Sequence, residues 1–369
     1  MILLVVISLI CLAAAAYQMT ALRACLRQLT LTDPWAVHRP RVSILKPVRG
    51  ADEGFYEAIR THAQIDYPDF EILFGVREKD DAARDCVERL QGEYPAVNIG
   101  IVDCYTDAPN AKVGSLIDLE RAASSEYLVI NDSDISVPRD YLYRLVTALD
   151  QPGVGLITCL YRATGRTLAS RFEALGISTD FAPSALVAPF VGVKEFGLGS
   201  TLALKAVTLK RVGGFAAVGD YIADDYHLGK RISDAGLTVE MSRMVVSTGL
   251  NGSWSDVWEH QVRWSRTIRV SRSGYFGIPV TNATLWAIVA GLAGYWFLAV
   301  PLLLLRLVMG VVAGRMVLRD GLTKTLWWCM PLRDLLGFAV WIAGSFGDTV
   351  RWKDQRLHLG RKGRILHRD

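Results

Sequence analysis

Apolar residues are spread unevenly along the chain. From Ile2 to Leu22 nearly every position is apolar and none is charged, and about 20 such residues cross a bilayer as a helix. The first charges, Arg23 and Arg27, follow the run. Basic residues on that flank place the N-terminus outside and the next domain in the cytoplasm. A cleaved signal peptide is the rival reading, with Ala13 to Ala16 as cleavage site. It requires a positive stretch ahead of the apolar run, and none is seen here. The expectation is a retained anchor.

After a polar linker from Leu29 to Pro40 the pattern alternates between short β-rich runs and helical periodicity. Strands are predicted at Val42 to Leu45, Phe70 to Val76, Val97 to Val102, Tyr127 to Asn131 and Val154 to Thr158. Helices are predicted at Phe55 to Gln64, Asp81 to Gln91 and Lys112 to Ala123, with another opened by Pro138. Strand and helix in alternation predict an α/β domain with a mostly parallel sheet. No G-x-G-x-x-G follows the first strand and no Walker lysine motif occurs, which weighs against a dinucleotide-binding or ATPase domain.

Beyond Val245 the pattern changes. Trp254 and Trp258 lie one helical turn apart, and Arg263, Arg266, Arg269 and Arg272 recur every three residues, near one helix face. A basic, Trp-bearing amphipathic helix beside apolar segments reads as interfacial; an ordinary solvated helix is the alternative. Ile278 to Gly314 is a long apolar run broken by Pro301 and Arg306, enough for one tilted span or two short ones. Trp327 to Phe346 is a further candidate, interrupted by Arg333 and Asp334. Charges at that depth must pair or line a cavity. The basic tail from Arg351 argues for a cytoplasmic end. The predicted organisation is an anchor over 1–28, a catalytic domain over 41–253, an interfacial helix over 254–276, a transmembrane or re-entrant region over 277–350 and a basic cytoplasmic tail over 351–369.

Composition sharpens this picture. Of 369 residues 51% are hydrophobic, and the mean hydropathy of +0.24 is high for a soluble enzyme. Lysine and arginine number 41 against 37 acidic residues, so overall charge does not argue for a nucleic-acid partner. The six cysteines are scattered, without a C-x-x-C pair, as in a domain facing a reducing compartment.

The candidate chemistry lies in the middle domain. The run Leu128-Val129-Ile130-Asn131-Asp132-Ser133-Asp134 ends a β-rich stretch in two carboxylates one residue apart. The period of an extended chain puts Asp132 and Asp134 on one side, at the carboxyl end of a strand where parallel sheets bind ligands. Two hard oxygen ligands suit a divalent cation of the Mg²⁺ or Mn²⁺ kind bound to a phosphate. An acidic turn capping the next helix is the other reading. Asp80-Asp81 can accept hydrogen bonds from a ribose or base, or cap a helix. Lys112, in Asn110-Ala111-Lys112, can reach a diphosphate as a point charge. Gly197 to Thr201 is a small-residue turn that lets backbone approach a substrate, a weak signal on its own. Asp224-Asp225 opens a helix; Asp225 can act as a general base, although acids suit a first helical turn regardless. In His260-Gln261-Val262-Arg263-Trp264, Arg263 can clamp a diphosphate and Trp264 can wall an acceptor pocket, or both can dock the helix to headgroups.

The ordered set LKPVRG-D, Q-x-DYP-x-FEIL, V-x-x-x-DD, PNAKV, NDSDI, GGF, Y-x-ADDY and QVRW resembles the ceramide glucosyltransferase family. That family is a membrane branch of the GT-A, family 2 type glycosyltransferases and includes bacterial hopanoid-modifying relatives. The resemblance runs from about Val42 to Ile268. It implies a GT-A-type, Rossmann-like nucleotide-sugar transferase domain with N- and C-terminal transmembrane helices. It also implies Mg²⁺ or Mn²⁺ at Asp132 and Asp134, Asp81 near the nucleotide and Asp225 as the base. Arg263 and Trp264 match the end of the (Q/R)-x-x-R-W motif, but His260 stands where Gln or Arg is expected. The implied reaction is inverting transfer of a hexose from UDP-glucose or UDP-N-acetylglucosamine to a lipid hydroxyl, ceramide or a hopanoid polyol. The implied location is the inner or cell membrane, with the catalytic domain cytoplasmic. A non-catalytic membrane scaffold with a degenerate transferase domain is the reading of another class.

Overall fold

The computed structural model describes residues 1–31, 38–272, 274–352 and 355–369. Most of the expected linker, 32–37, and tail residues 353–354 lie outside the described residues. The chain divides into two compact units. One comprises Met1–Leu31, Arg162–Val193 and Leu250–Arg351; the other comprises Thr32–Tyr161, Lys194–Gly249 and Trp352–Asp369.

The strands in chain order are β1 (Val42–Pro47), β2 (Phe70–Val76), β3 (Asn98–Asp103), β4 (Tyr127–Ile130), β5 (Ile135–Ser136), β6 (Val154–Gly165), β7 (Leu202–Lys205), β8 (Thr238–Leu250), β9 (Thr349–Trp352), β10 (Gln355–Leu359) and β11 (Ile365–Arg368). The first eight form one sheet in the order β3-β2-β1-β4-β7-β6-β8-β5. The half built from β3, β2, β1 and β4 is parallel. The pairs β4–β7, β6–β7 and β5–β8 are antiparallel. The sheet is therefore mixed, with its parallel half where alternating strands and helices were expected.

Both faces of that parallel half are covered, so its strands are near-continuous apolar runs. Along β1, Ile44 joins a core with Ile59, Ile72, Phe74 and Val129 on one face. Its neighbour Leu45 joins Leu73, Leu116, Leu119 and Ile130 on the other. Two polar caps start the flanking helices. Asp81 accepts from the Ala83 N–H at the head of Ala82–Glu93. Asn110 accepts from the Lys112 and Val113 N–H groups at the head of Ala111–Ala122.

The other unit is helical. Helix Ile2–Thr30 packs Ile7, Cys11 and Ala14 against Ala283, Ala287, Ala290, Ala299 and Leu302, small residues that let apolar helices approach closely. Among the described residues, four helices are long and apolar enough to cross a membrane: Ile2–Thr30, Leu168–Val191, Trp296–Val317 and Gly321–Gly344. A bent pair, Tyr275–Thr281 with Ala283–Leu292, makes a further candidate with a 57° break. The Leu168–Val191 segment was not singled out by the sequence pattern. The Ile278 to Gly314 run resolves into the bent pair and one longer helix.

The interrupting charges do pair. Arg306 donates to both oxygens of Asp334, at 2.9 and 2.6 Å, and Thr284 donates to the same carboxylate. All three side chains are buried. Arg333 donates to Gln261, and Gln261 to Glu173, whose Oε1 also bonds His260. A Cβ at Gly176 would lie 2.1 Å from Arg333 Nε, so only glycine admits that guanidinium. Breaking a buried pair strands its partner's charge, at about 3–5 kcal/mol. Arg306→Ala is accordingly expected to lower the unfolding midpoint in detergent far more than a double Arg306→Met, Asp334→Leu exchange. Equal losses would show that the pair itself, rather than an orphaned charge, sets the cost.

Among the periodic arginines, Arg266 and Arg269 bond backbone carbonyls. Arg266 donates to the Phe346 and Thr349 carbonyls, and Arg269 to the Gly347 carbonyl. They tie helix Trp254–Ser271 to the segment that follows Met330–Gly344, while Trp254 and Trp258 stay exposed.

Candidate active site

Strand β4 delivers the acidic pair. At its end the Asn131 amide donates to the Tyr141 hydroxyl and the Ser200 carbonyl, at 2.8 and 2.6 Å, in a fully buried network. That anchor fixes where the chain leaves the sheet. Asp132 then turns outward, its side chain 43% exposed, and Asp134 is also open to solvent. The Thr248 hydroxyl, from β8, donates to Asp134. Crowding by protein and the Asp132 charge push the Asp134 carboxyl above its usual range, against Thr248 and Lys46. Because water reaches Asp134, crowding weighs less there than at a sealed site.

Two further acids converge on this point. Lys112 Nζ lies 2.8 Å from Asp132 Oδ1 and 3.3 Å from Asp224 Oδ2. Burial would lower the Lys112 ammonium, but Asp132, Asp224 and Asp225 outweigh burial and hold it above the ordinary lysine range. Asp224 is buried and within reach of Asn110, whose amide donates to the Tyr221 carbonyl at 2.8 Å. The same asparagine thus caps one helix and holds the turn that begins the next.

Gly199 sits between the two acidic motifs. Its carbonyl accepts from the Asp132 N–H at 3.0 Å, and its N–H donates to Asp225 Oδ2 at 2.8 Å. A Cβ there would lie 2.6 Å from Asp132 Oδ2. Gly199→Ala is expected to push the Asp132 carboxylate aside and weaken Mn²⁺ binding to the purified chain, read by calorimetry, while the fold persists. Unchanged Mn²⁺ binding would remove this positioning role.

Asp225 is half-buried and also accepts from the Tyr226 N–H. Burial and the Asp224 charge push its carboxyl up to about 7, against the pull of Lys112. A carboxylate with that pKa takes up a proton readily near neutrality, as a general base must.

Sequence reasoning missed what lies beneath the acidic loop. Lys46, on β1, is fully buried and donates to the Asp132 carbonyl at 3.1 Å. Burial lowers it to about 7, against the attraction of Asp134 and Asp132. Its Nζ lies 3.4 Å from His62 Nε2. Burial and Lys46 hold His62 well below its ordinary pKa. His62 Nδ1 lies 3.2 Å from the Ala58 carbonyl, and its Nε2 lies 3.3 Å from Asn131 Oδ1 as well as beside Lys46. A lysine ending an apolar strand was the available signal. Thr248 had none, being brought in from β8 by the sheet alone.

Of the sequence-predicted residues, Asp81, Lys112, Asp132, Asp134 and Asp225 belong to the sheet-bearing unit, and Arg263 and Trp264 to the helical one. Asp81 bonds the Gly50 N–H through both carboxylate oxygens, at 2.8 and 3.1 Å, besides capping its helix. It thereby ties down the loop after β1. Trp264 packs beside Phe181 and His260. The donor set of Asp132 and Asp134, two exposed carboxylates one residue apart, fits a hard divalent cation.

A half-parallel sheet with an acidic pair at a strand end and a second at a helix start is the architecture of a GT-A-type domain, carried here on a chain with helices apolar enough to cross a membrane. The chain belongs to glycosyl transferase family 21, whose model matches residues 3–365. It is 27% identical to ceramide glucosyltransferase 1 of Caenorhabditis elegans over 208 residues, 55% of this chain and 44% of that protein. It is 23% identical to ceramide glucosyltransferase 3 of the same organism over 346 residues, 89% of this chain and 74% of that protein. The chain thus spans less than half the length of the first and about three-quarters of the second. Its fold is also that of a mannosyltransferase, PcManGT from Pyrobaculum calidifontis, solved with GDP-Man and Mn²⁺. That match has a TM-score of 0.56 at 19% identity and covers 92% of this chain and 97% of that one.

Proposed function

We propose that this chain transfers a hexose from a UDP-sugar to the hydroxyl of a membrane ceramide, with inversion at the anomeric carbon. The observation that carries the reading is the meeting of both acidic motifs on Gly199, which bonds Asp132 through its carbonyl and Asp225 through its N–H. Asp132 and Asp134 would hold Mg²⁺ or Mn²⁺, which neutralises the diphosphate leaving group and is worth several kcal/mol. Lys112 keeps a permanent positive charge beside them. Asp225 takes the acceptor proton as the hydroxyl attacks in line. Asp81 is assigned to the nucleoside side, and Arg263 and Trp264 to the diphosphate and acceptor on the strength of the motif. A retaining route through a glycosyl-enzyme needs a second carboxylate as nucleophile, a role that no residue here is assigned.

The acceptor class is supported by the named relatives and by the apolar helices. Within the helical unit, an apolar groove of about 210 Å³ is lined by Trp254, Val257, Trp258, Gln261, Leu336 and Val340, a surface suited to an acyl chain. Arg23 and Arg27, in the last turns of helix Ile2–Thr30 and beyond its apolar run, support a cell-membrane protein whose sheet-bearing unit faces the cytoplasm.

The test is UDP release by purified protein in detergent, with UDP-glucose or UDP-N-acetylglucosamine and with ceramide or a hopanoid polyol. Release that needs both ceramide and Mn²⁺ and stops with EDTA is the expected result. Release with the hopanoid alone overturns the acceptor, and silence with every lipid favours a scaffold.

A further inference from the structure

The C-terminal hairpin carries a feature that the transferase site does not use. In the β10–β11 ladder His358 stands directly opposite His367. Two residues on, Asp369 exchanges backbone hydrogen bonds with Arg356 at 3.0 and 3.1 Å, which extends the same register. Residues i and i+2 share a face of a strand, so His358, His367 and Asp369 lie on one face. The two imidazoles stack with centroids 4.0 Å apart, and His358 Nε2 is 3.0 Å from Asp369 Oδ2. The ligand atoms of all three lie within 4.8 Å of one another.

We infer that His358, His367 and Asp369 form a binding site for a divalent transition-metal ion, separate from the Asp132–Asp134 pair. Two imidazoles and a carboxylate are the donor set of Zn²⁺, Cu²⁺ or Ni²⁺ rather than of Mg²⁺. Ligands of a bound Zn²⁺ at about 2.0–2.2 Å are themselves about 3–4 Å apart, so the three groups close by an ångström or so. Water would complete the shell.

The other face of the hairpin gives the site its consequence. Leu357, Leu359 and Ile365 are buried there. The Ile365 N–H donates to the Asp220 carbonyl and the Ile222 N–H to the Gly363 carbonyl, at 2.7 and 3.0 Å. His227, on the Asp225-bearing helix, bonds the Lys362 carbonyl at 2.9 Å. A metal ion on the outer face would rivet the two strands that hold the turn before Asp224. Arg356 shares that outer face and is the competing cation beside Asp369.

The test uses the full chain in detergent, purified without a polyhistidine tag, with one equivalent of Cu²⁺ followed by electron paramagnetic resonance. Nitrogen hyperfine structure is expected, because two ligands are imidazoles, whereas the Asp132–Asp134 pair offers only oxygen. The nitrogen signal should disappear in H358A H367A and persist in D132N D134N. Zn²⁺ should raise the melting temperature of the native chain but not of H358A H367A, and R356A should strengthen the Zn²⁺ effect. An all-oxygen spectrum in the native chain, or nitrogen ligation that survives H358A H367A, would overturn the assignment. Because the readouts are spectroscopic and thermal, failure here leaves the transferase reading untouched.

Discussion

Replacing Asp225 by asparagine is expected to cut sugar transfer by about 10²–10⁴-fold while leaving UDP-sugar binding nearly intact. The asparagine side-chain oxygen can still accept from the Gly199 N–H that now bonds Asp225, so the turn between the acidic motifs keeps its anchor. What is lost is the group that takes the acceptor proton, worth about 10²–10⁴-fold in rate. The pH profile makes this specific. The Asp225 carboxyl is raised to about 7, so its basic form is present above that pH and lost below it. In the native chain kcat/KM should fall on the acid side of about 7, and the residual activity of D225N should lack that limb. Stopped-assay rates from pH 5 to 9, with calorimetry of UDP-sugar binding, check both statements. Normal turnover in D225N would move the base elsewhere, with Asp224 the nearest alternative.

The second large effect belongs to the metal carboxylates. The double variant D132N D134N should lose metal-dependent turnover by about a thousandfold, since the cation contributes several kcal/mol and each 1.36 kcal/mol is tenfold. Excess Mn²⁺ should not restore it, because neutral amides are poor ligands for a hard cation. Lys112 would keep Asp224 as a carboxylate partner, so the fold should survive, as a thermal melt would report. Retained turnover, or rescue by Mn²⁺, would remove the cation from Asp132 and Asp134.

Local pattern announced much of this architecture. The β2 bounds follow directly from its apolar run, and both caps, Asp81 and Asn110, stand where a polar residue precedes helical periodicity. Asp132 and Asp134 were visible because charge at a strand end interrupts an apolar run. The less legible features depend on distant parts of the chain. Lys46 stood just past a short apolar run and drew no role, yet burial and the acidic loop above it make it part of the site. Gly199 looked like one more small turn residue, and only the approach of Asp132 and Asp225 from opposite sides gives it a task. The antiparallel half of the sheet was hidden because pairing of β4 with β7 joins residues more than seventy positions apart. The tail was read only as a basic cytoplasmic end; its alternation of Leu357 and Leu359 with polar neighbours is the period-2 signal that its charge concealed.

The central claim is that one base, acting opposite a cation-bound leaving group, inverts the sugar as it passes to a lipid alcohol. The anomeric configuration of the lipid product tests it most directly. Purified protein is incubated with UDP-glucose, whose sugar is α-linked, ceramide and Mn²⁺, and the glycolipid is examined by proton NMR. A β-glucosylceramide that forms with Mn²⁺ and not with EDTA is the predicted result; an α-linked product, or product undiminished by EDTA, would contradict the account.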